Sequence, residues 1–232
     1  YTSFDDVPGE APRAAFRELV RRRGEGTPVA YLLGRREFYS LTFRVTPEVL
    51  IPRPETELVV VALLDLAKAL PADQPIAVCG VGTGSGVLAV CAARFLPRCR
   101  VTAVDISAGA LEVARQNCRE HGVDGRVDLL QSDLLAAMAP DVRFDFILSN
   151  PPYVAEGDLD KLAPDVRDHE PRVALAAGPR GLDVIARLVP QAADHLAPGG
   201  HLLVEISPMI HDEALAAVRA DGRFDLGPTV YD

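Results

Sequence analysis

The sequence predicts an α/β fold: a doubly wound, mostly parallel sheet with a small N-terminal helix and β-hairpin appendage. Three observations carry this. From residue 75 onward, short apolar runs alternate with helical patterns, the rhythm of successive strand–helix units. A glycine-rich turn, "VGTGSG", follows the first of these runs. Polar residues then stand at the ends of the later runs, where ligands bind in doubly wound sheets.

Taken in order, residues 10–24 read as a helix closed by Gly24, and "REFYSLTFRVT" (36–46) alternates with period two, as a hairpin does. "IPRPETE" (51–57) is a proline-bound turn. Pro54 suits the first turn of a helix, and Glu55 and Glu57 face its positive end. The apolar run 58–70 carries Asp65 and Lys68 and reads as a core helix, not a membrane span. Expected strands are 76–80, 100–104, 126–130, 144–149, 200–206 and 224–230. Expected helices lie at 85–96, 107–121, 181–196 and 209–220. The appendage is assigned to residues 1–52 and the larger unit to 53–232.

Composition narrows the function classes. With 48% apolar residues the chain can bury a sizeable core, and its net charge of −9 argues against a broad nucleic-acid surface. "RELVRRRGEG" is a local basic exception, read as a solvated helix face before a binding patch. Cys79, Cys91, Cys99 and Cys118 show no metal-ligand spacing. They imply a reduced, cytoplasmic protein without a structural metal. No signal-peptide pattern follows Tyr1, and the chain is expected to begin inside a longer product.

Gly82, Gly84 and Gly86 alternate with Thr83 and Ser85 and lead into a helix. Glycine permits a tight turn and close backbone approach, and the helix start offers free N–H donors to an anionic group. The dinucleotide spacing would place its third glycine at position 87, where Val87 stands. A ligand with a carboxylate and no pyrophosphate suits this loop better. Asp105, followed by Ile106, ends the next strand nineteen positions after Gly86. Its carboxylate can accept two ribose hydroxyls. The competing role is a helix N-cap, which Ser107 could equally fill. Asp133, before Leu134, is placed to take an adenine amino group, with a helix cap as the alternative; the sequence leaves both open. The ensemble describes a nucleoside-plus-amino-acid pocket, which S-adenosylmethionine fits.

The fourth strand ends in Asn150-Pro151-Pro152-Tyr153. The two prolines cannot continue a ladder, which explains a stop but not the flanking Asn and Tyr. An amide or aromatic amine is a poor nucleophile, so an enzyme alkylating it must hold the NH2 group and aim its lone pair. Asn150 Oδ1 and the Pro151 carbonyl can each accept one N–H, while Pro152 stiffens the turn and Tyr153 can wall a planar substrate.

"GTGSG", "VDIS", "QSD" and "SNPPY", in this order, resemble class I S-adenosylmethionine-dependent methyltransferases acting on planar nitrogen. "GTPVAYLLGRREFYSL", "VLIPRPETE", "HEPRVALAAGPRGLD" and "LAPGGHLLVEIS" closely resemble the release-factor glutamine methyltransferases of the PrmC/HemK type, over almost the whole chain. The resemblance implies methylation of the side-chain N5 of the glutamine in the Gly-Gly-Gln loop of release factors. S-adenosylmethionine would be the cofactor, no metal is needed, and the protein is expected to act as a monomer without membrane or stable nucleic-acid binding. It further implies that Phe38, Arg53 and Glu55 stand near the active-site mouth. It places the cofactor across Gly82 to Gly86, Asp105–Ile106, Asp133–Leu134 and Asn150. Two departures stand out. Gly80 occupies a position where the family usually carries an acid, and the chain stops where the family continues through a last strand. Two other functions compete: an N6-adenine methyltransferase, disfavoured by the acidic charge, and a non-catalytic cofactor-binding protein, suggested only by Gly80.

Overall fold

The computed structural model describes residues 9–231; the first eight residues of the 1–52 segment and Asp232 lie outside the described residues. Helix α1 (Glu10–Gly24) is followed by a short α2 (Val29–Leu33), then strands β1 (Arg35–Phe38) and β2 (Leu41–Arg44) paired as an antiparallel hairpin. Tyr39 and Ser40 form the turn with positive φ of 49° and 58°, as a two-residue hairpin turn of this hand requires. The α2 helix falls within a stretch to which the sequence assigns no element. Its five residues are too few to show a helical period, and Gly34, left-handed at φ 67°, ends it.

A 3₁₀ turn at Pro54–Thr56 opens α3 (Glu57–Ala67). The chain then alternates through β3 (Ile76–Val81), α4 (Val87–Phe95), β4 (Cys99–Asp105), α5 (Ala108–Glu120), β5 (Val127–Gln131) and β6 (Phe144–Ser149). After a long excursion containing α6 (Pro164–Arg167) come α7 (Asp183–His195), β7 (Leu196–Val204) and α8 (His211–Asp221). The sheet order is β5-β4-β3-β6-β7, and every pair is parallel. The order reverses between β3 and β6, so a crevice opens outside their carboxyl ends. Both the glycine loop after β3 and Asn150 after β6 fall there.

Strands β3 and β6 are buried along almost their full length, which is why apolar residues dominate both faces rather than alternating; Asp145 is the polar exception within β6, its Oδ2 accepting the Ala77 N–H of β3. One face of the sheet packs on α3 and α4 through Leu63, Val78, Val90 and Phe146. The other face packs on α7 through Val81, Ile147 and Leu188.

Two expected strands need correction. Strand β7 begins at Leu196 and not at residue 200, because Leu196 pairs with Phe144 while His201 pairs with Phe146. The Ala197–Gly200 stretch is thus an irregularity inside the strand. The expected strand at 224–230 is absent: these residues carry no regular structure. Phe224 folds inward against the α7 side of the core, and Gly227-Pro228 then interrupts the segment, proline having no N–H to give a ladder.

Candidate active site

The glycine loop is a built cradle. Gly82, Gly84 and Gly86 have positive φ of 65°, 54° and 85°, a region where glycine carries no steric cost. The three do different work. A Cβ at Gly82 or Gly84 would meet nothing within 4 Å, so these two leave open space. A Cβ at Gly86 would lie 3.1 Å from Ala114 Cβ, so this glycine lets the loop pack closely on α5. The loop is pinned from three sides. The Thr83 N–H donates to the Val104 carbonyl at 2.9 Å, the Gly84 N–H to Asp105 Oδ2 at 2.8 Å, and buried Asn117 Nδ2 to the Ser85 carbonyl at 2.7 Å.

Asp105 ends β4 facing this cradle. Its Oδ1 accepts the Ser107 N–H at 2.9 Å, and each carboxylate oxygen keeps a further lone pair for a ligand. Burial pushes its carboxyl above the ordinary range, against the pull of the Ser107, Gly84 and Ile106 N–H groups. The helix cap belongs to Ser107, whose Oγ accepts from the Ala110 N–H. That leaves Asp105 free of the competing role. Asp133 is exposed, and its Oδ2 takes Arg187 Nη2 at 2.5 Å across the cavity rim. Leu134 holds φ 52°, unusual for a branched side chain.

On the opposite wall stands Asn150. Its Nδ2 donates to Thr56 Oγ1 at 3.0 Å, joining the end of β6 to the turn before α3. Ser149 Oγ, one residue earlier, donates to the Val81 carbonyl at 2.9 Å and locks the ends of β6 and β3 together. A cavity of about 290 Å³ joins these walls, lined by Gly82, Gly84, Asp105, Leu134, Asn150 and Pro152 among others. Its volume is at the low end for small-molecule sites. S-adenosylmethionine fits the donor set. Asp105 has spare acceptor capacity, the loop leaves room for backbone approach, and the buried Thr83 hydroxyl in the lining has no partner among the described residues.

Residues 62–165 match the model of the methyltransferase small domain family. Over 211 residues the chain is 53% identical to the release factor glutamine methyltransferase of Rhodopirellula baltica, covering 90% of this chain and 71% of that protein. The chain belongs to the release factor glutamine methyltransferases. The relative of the same name from Koribacter versatilis is 44% identical, with 93% of this chain and 75% of that protein covered. Among solved structures, a methyltransferase from Pyrococcus furiosus superposes with a TM-score of 0.54 at 20% identity, covering 89% and 84% of the two chains. The hMettl16 catalytic domain reaches 0.62 at 15% identity over 84% and 70%. These last two likenesses concern the fold alone.

In this methyltransferase the remaining expected mouth residues are placed unevenly. Arg53 lines the cavity, with its Nη2 held by both oxygens of Glu170 at 2.7 and 2.8 Å. Glu55 is exposed outside the lining. Phe38 does not line the cavity either: it is 1% exposed, edge-on to Phe43 in the core. An apolar ring at the end of a four-residue strand gains more from burial than from facing a wet mouth.

Several residues escape sequence reasoning. Glu170 anchors Arg53; burial pushes its carboxyl up and the Arg53 guanidinium opposes the shift. Gly181, at φ 75°, passes so close to the turn that a Cβ would sit 2.3 Å from the Tyr153 carbonyl oxygen. Thr56 and Glu205 lie beside Asn150, as the neighbours of its amide and of the Glu205 carboxyl show. All four lie in stretches that carry the family resemblance, "VLIPRPETE", "HEPRVALAAGPRGLD" and "LAPGGHLLVEIS", but nothing local to Thr56, Glu170 or Glu205 shows the partner each would meet. The four cysteines are buried and unpaired. Burial raises Cys79 and Cys91 to about 12 and Cys99 and Cys118 to about 11, which makes poor nucleophiles of all four. Among the described residues no helix is long and apolar enough to cross a membrane, and no cluster could hold a metal ion.

Proposed function

We infer that this methyltransferase moves the methyl group of S-adenosylmethionine to the side-chain amide nitrogen of the glutamine in the Gly-Gly-Gln loop of peptide chain release factors. The observation that carries the reading is the setting of Asn150. Its Nδ2 is occupied by Thr56, so its Oδ1 is left to the cavity that the glycine loop and Asp105 also line.

The bound cofactor supplies an electrophilic methyl carbon on a sulfonium. Asp105 would accept the ribose hydroxyls, and the loop from Gly82 to Gly86 with Thr83 and Ser85 would receive the amino-acid end. Ile106, Leu134 and Asp133, which line the same cavity, would frame the adenine. Asn150 Oδ1 and the Pro151 carbonyl accept the two N–H bonds of the substrate amide. This would hold its nitrogen lone pair in position for the methyl carbon and exclude a water from the same place. Pro152 and Tyr153 wall the planar amide, and Arg53 shapes the rim through Glu170. The new nitrogen–carbon bond would form as the carbon–sulfur bond breaks, the electron pair staying on sulfur as a thioether, and the N–H proton that alkylation makes acidic would pass to water.

The same reading makes residues 1–52 an appendage carrying the hairpin, and 53–232 the catalytic unit, acting as a cytoplasmic monomer. The net charge of −9 fits a protein substrate better than a nucleic acid. Incubation with labelled S-adenosylmethionine and either a release factor or DNA or RNA tests it. Label on a release factor that disappears when its Gly-Gly-Gln glutamine is replaced is the expected result. Label on adenine instead would overturn the proposal.

A further inference from the structure

Beside Asn150 lies a carboxylate without an assigned task. Glu205 is the first residue after β7, and its backbone N–H donates to the Ser149 carbonyl at 3.0 Å, which fixes it next to the end of β6. Its Oε2 is buried with no partner that meets hydrogen-bond geometry among the described residues, although Thr56 and Asn150 stand close enough to act on the carboxyl as donors. Such groups are rare and point to a role other than packing. The groups facing it come from two elements. The turn before α3 presents Thr56, Glu55 and Arg53, and the exit of β6 presents Asn150 and Tyr153.

We propose that Glu205, acting with Thr56, is a positioning residue that fixes which way the Asn150 amide points. The proposal rests on the reading that Asn150 receives the substrate amide. An asparagine side chain is nearly symmetric in shape but opposite in polarity at its two ends. Turned one way it offers Oδ1 to the cavity and accepts a substrate N–H. Turned the other way it offers an NH2 group, which repels the substrate NH2.

The wall behind it decides between the two. Asn150 Nδ2 donates to Thr56 Oγ1, so the Thr56 hydroxyl hydrogen is released to another acceptor, and Thr56 is only 3% exposed. An ionised Glu205 can only accept. It takes the Thr56 hydroxyl hydrogen and attracts the second Asn150 N–H, and both effects keep Nδ2 turned inward and Oδ1 outward. Protonated, Glu205 can donate to Thr56, and the preference is lost. Burial pushes its carboxyl above the ordinary range, with the Thr56 hydroxyl opposing, Glu55 adding to the shift, and Asn150 and Arg53 opposing. The loss on acidification therefore begins at a higher pH than for a solvent-exposed glutamate.

The experiment compares wild type, Glu205→Gln, Glu205→Met, Thr56→Val and Thr56→Ser. Single-turnover methylation of a release factor is followed across pH, and S-adenosylmethionine binding is measured by calorimetry. Glu205→Met removes the acceptor, and kcat should fall about a hundredfold, the scale of a reacting group misplaced by about 1 Å. Glu205→Gln should fall less, because its amide can still accept, and its kcat should lose the acid limb seen in wild type. Thr56→Ser should restore what Thr56→Val loses. Cofactor affinity should stay within about twofold throughout. In wild type the Asn150 side-chain amide signals in the NMR spectrum should move with the same midpoint as the acid limb. A Glu205→Met enzyme with wild-type kcat, or an acid limb retained in both Glu205 variants, would overturn the proposal. A wild-type enzyme that leaves the release factor unlabelled would instead sink the reading of the substrate. The two failures are thus distinct.

Discussion

Asn117 offers the sharpest test of how the appendage and the cofactor loop are held together. It lies on α5 and is fully buried. Its Oδ1 accepts the Arg44 N–H at 2.8 Å, and its Nδ2 donates to the Arg44 carbonyl at 3.0 Å and the Ser85 carbonyl at 2.7 Å. One side chain thus clamps β2 of the hairpin and the glycine loop to the same helix. Asn117→Ala strands one N–H and two carbonyls, the Ser85 carbonyl in a buried bond and the two Arg44 groups in part-buried ones. Each unsatisfied buried group costs about 1–3 kcal/mol, and partial relaxation brings the expected total to about 3–5 kcal/mol. With a urea m-value of about 3 kcal/mol/M, the upper end for small proteins, the unfolding midpoint should drop by roughly 1–1.7 M. Exposed Arg119→Ala, two residues along the same helix, should stay within about 0.5 kcal/mol of wild type. Because Ser85 belongs to the loop, S-adenosylmethionine should also bind more weakly to Asn117→Ala. If the midpoint of Asn117→Ala moves no further than that of Arg119→Ala, the clamp does not hold the hairpin and the reasoning fails.

Asn150→Ala should lower kcat about a hundredfold or more, the scale for losing one preorganised polar group, with a smaller effect on cofactor affinity; single-turnover rates at saturating cofactor check it. Asp105→Ala should raise the S-adenosylmethionine dissociation constant about tenfold or more, since hydrogen bonds to a charged group contribute roughly 1.5–3 kcal/mol. Unchanged calorimetry would remove Asp105 from the site. Gly181→Ala places a Cβ against the Tyr153 carbonyl at a positive φ, so it should destabilise by about 1–3 kcal/mol and lower kcat by displacing the turn. Thermal unfolding and turnover measured on the same sample test both effects.

The fold was legible where burial dictates composition. Strands β3 and β6 are buried along almost their full length, so apolar residues dominate there, the polar Asp145 and Ser149 being bonded to the β3 backbone, and their ends are read to within a residue. The backbone parts of the site were legible for a related reason: glycines at positive φ and two consecutive prolines admit few substitutes. What stayed hidden was pairing across distance. Thr56 reads as one more residue of a helix-opening turn, yet its hydroxyl meets an amide 94 positions away. Arg53 and Glu170 are separated by 117 positions, and neither residue's neighbours in sequence hint at the other. The missed β7 start has a different origin. Pro198-Gly199-Gly200 carries the signal of a loop, and only the register with Phe144 shows that the strand continues through it.

The wall behind Asn150 should also leave a mark on stability, and its sign separates a functional carboxylate from a structural one. The folded-state pKa of Glu205 lies above the ordinary 4.5, with burial as the largest cause. The folded protein therefore holds the Glu205 proton more tightly than the unfolded chain does. By linkage, the stability this group contributes is fully present below about pH 4.5 and is lost as pH rises through its folded pKa. Glu205→Gln removes the titration. Relative to wild type, it should gain nothing at the acid end, gain progressively above about pH 4.5, and level off once wild-type Glu205 is ionised. The plateau is expected at about 1–3 kcal/mol, the cost of a buried polar group left unsatisfied. Glu170 and Asp105 are shifted in the same direction. They cancel in the difference between variant and wild type, so chemical unfolding of the pair across pH isolates Glu205. A Glu205→Gln protein less stable than wild type at neutral pH would mean that the carboxylate is held for packing or pairing. A protein that gains stability there while losing turnover would show a charge retained against the fold's own preference because the orientation of Asn150 requires it.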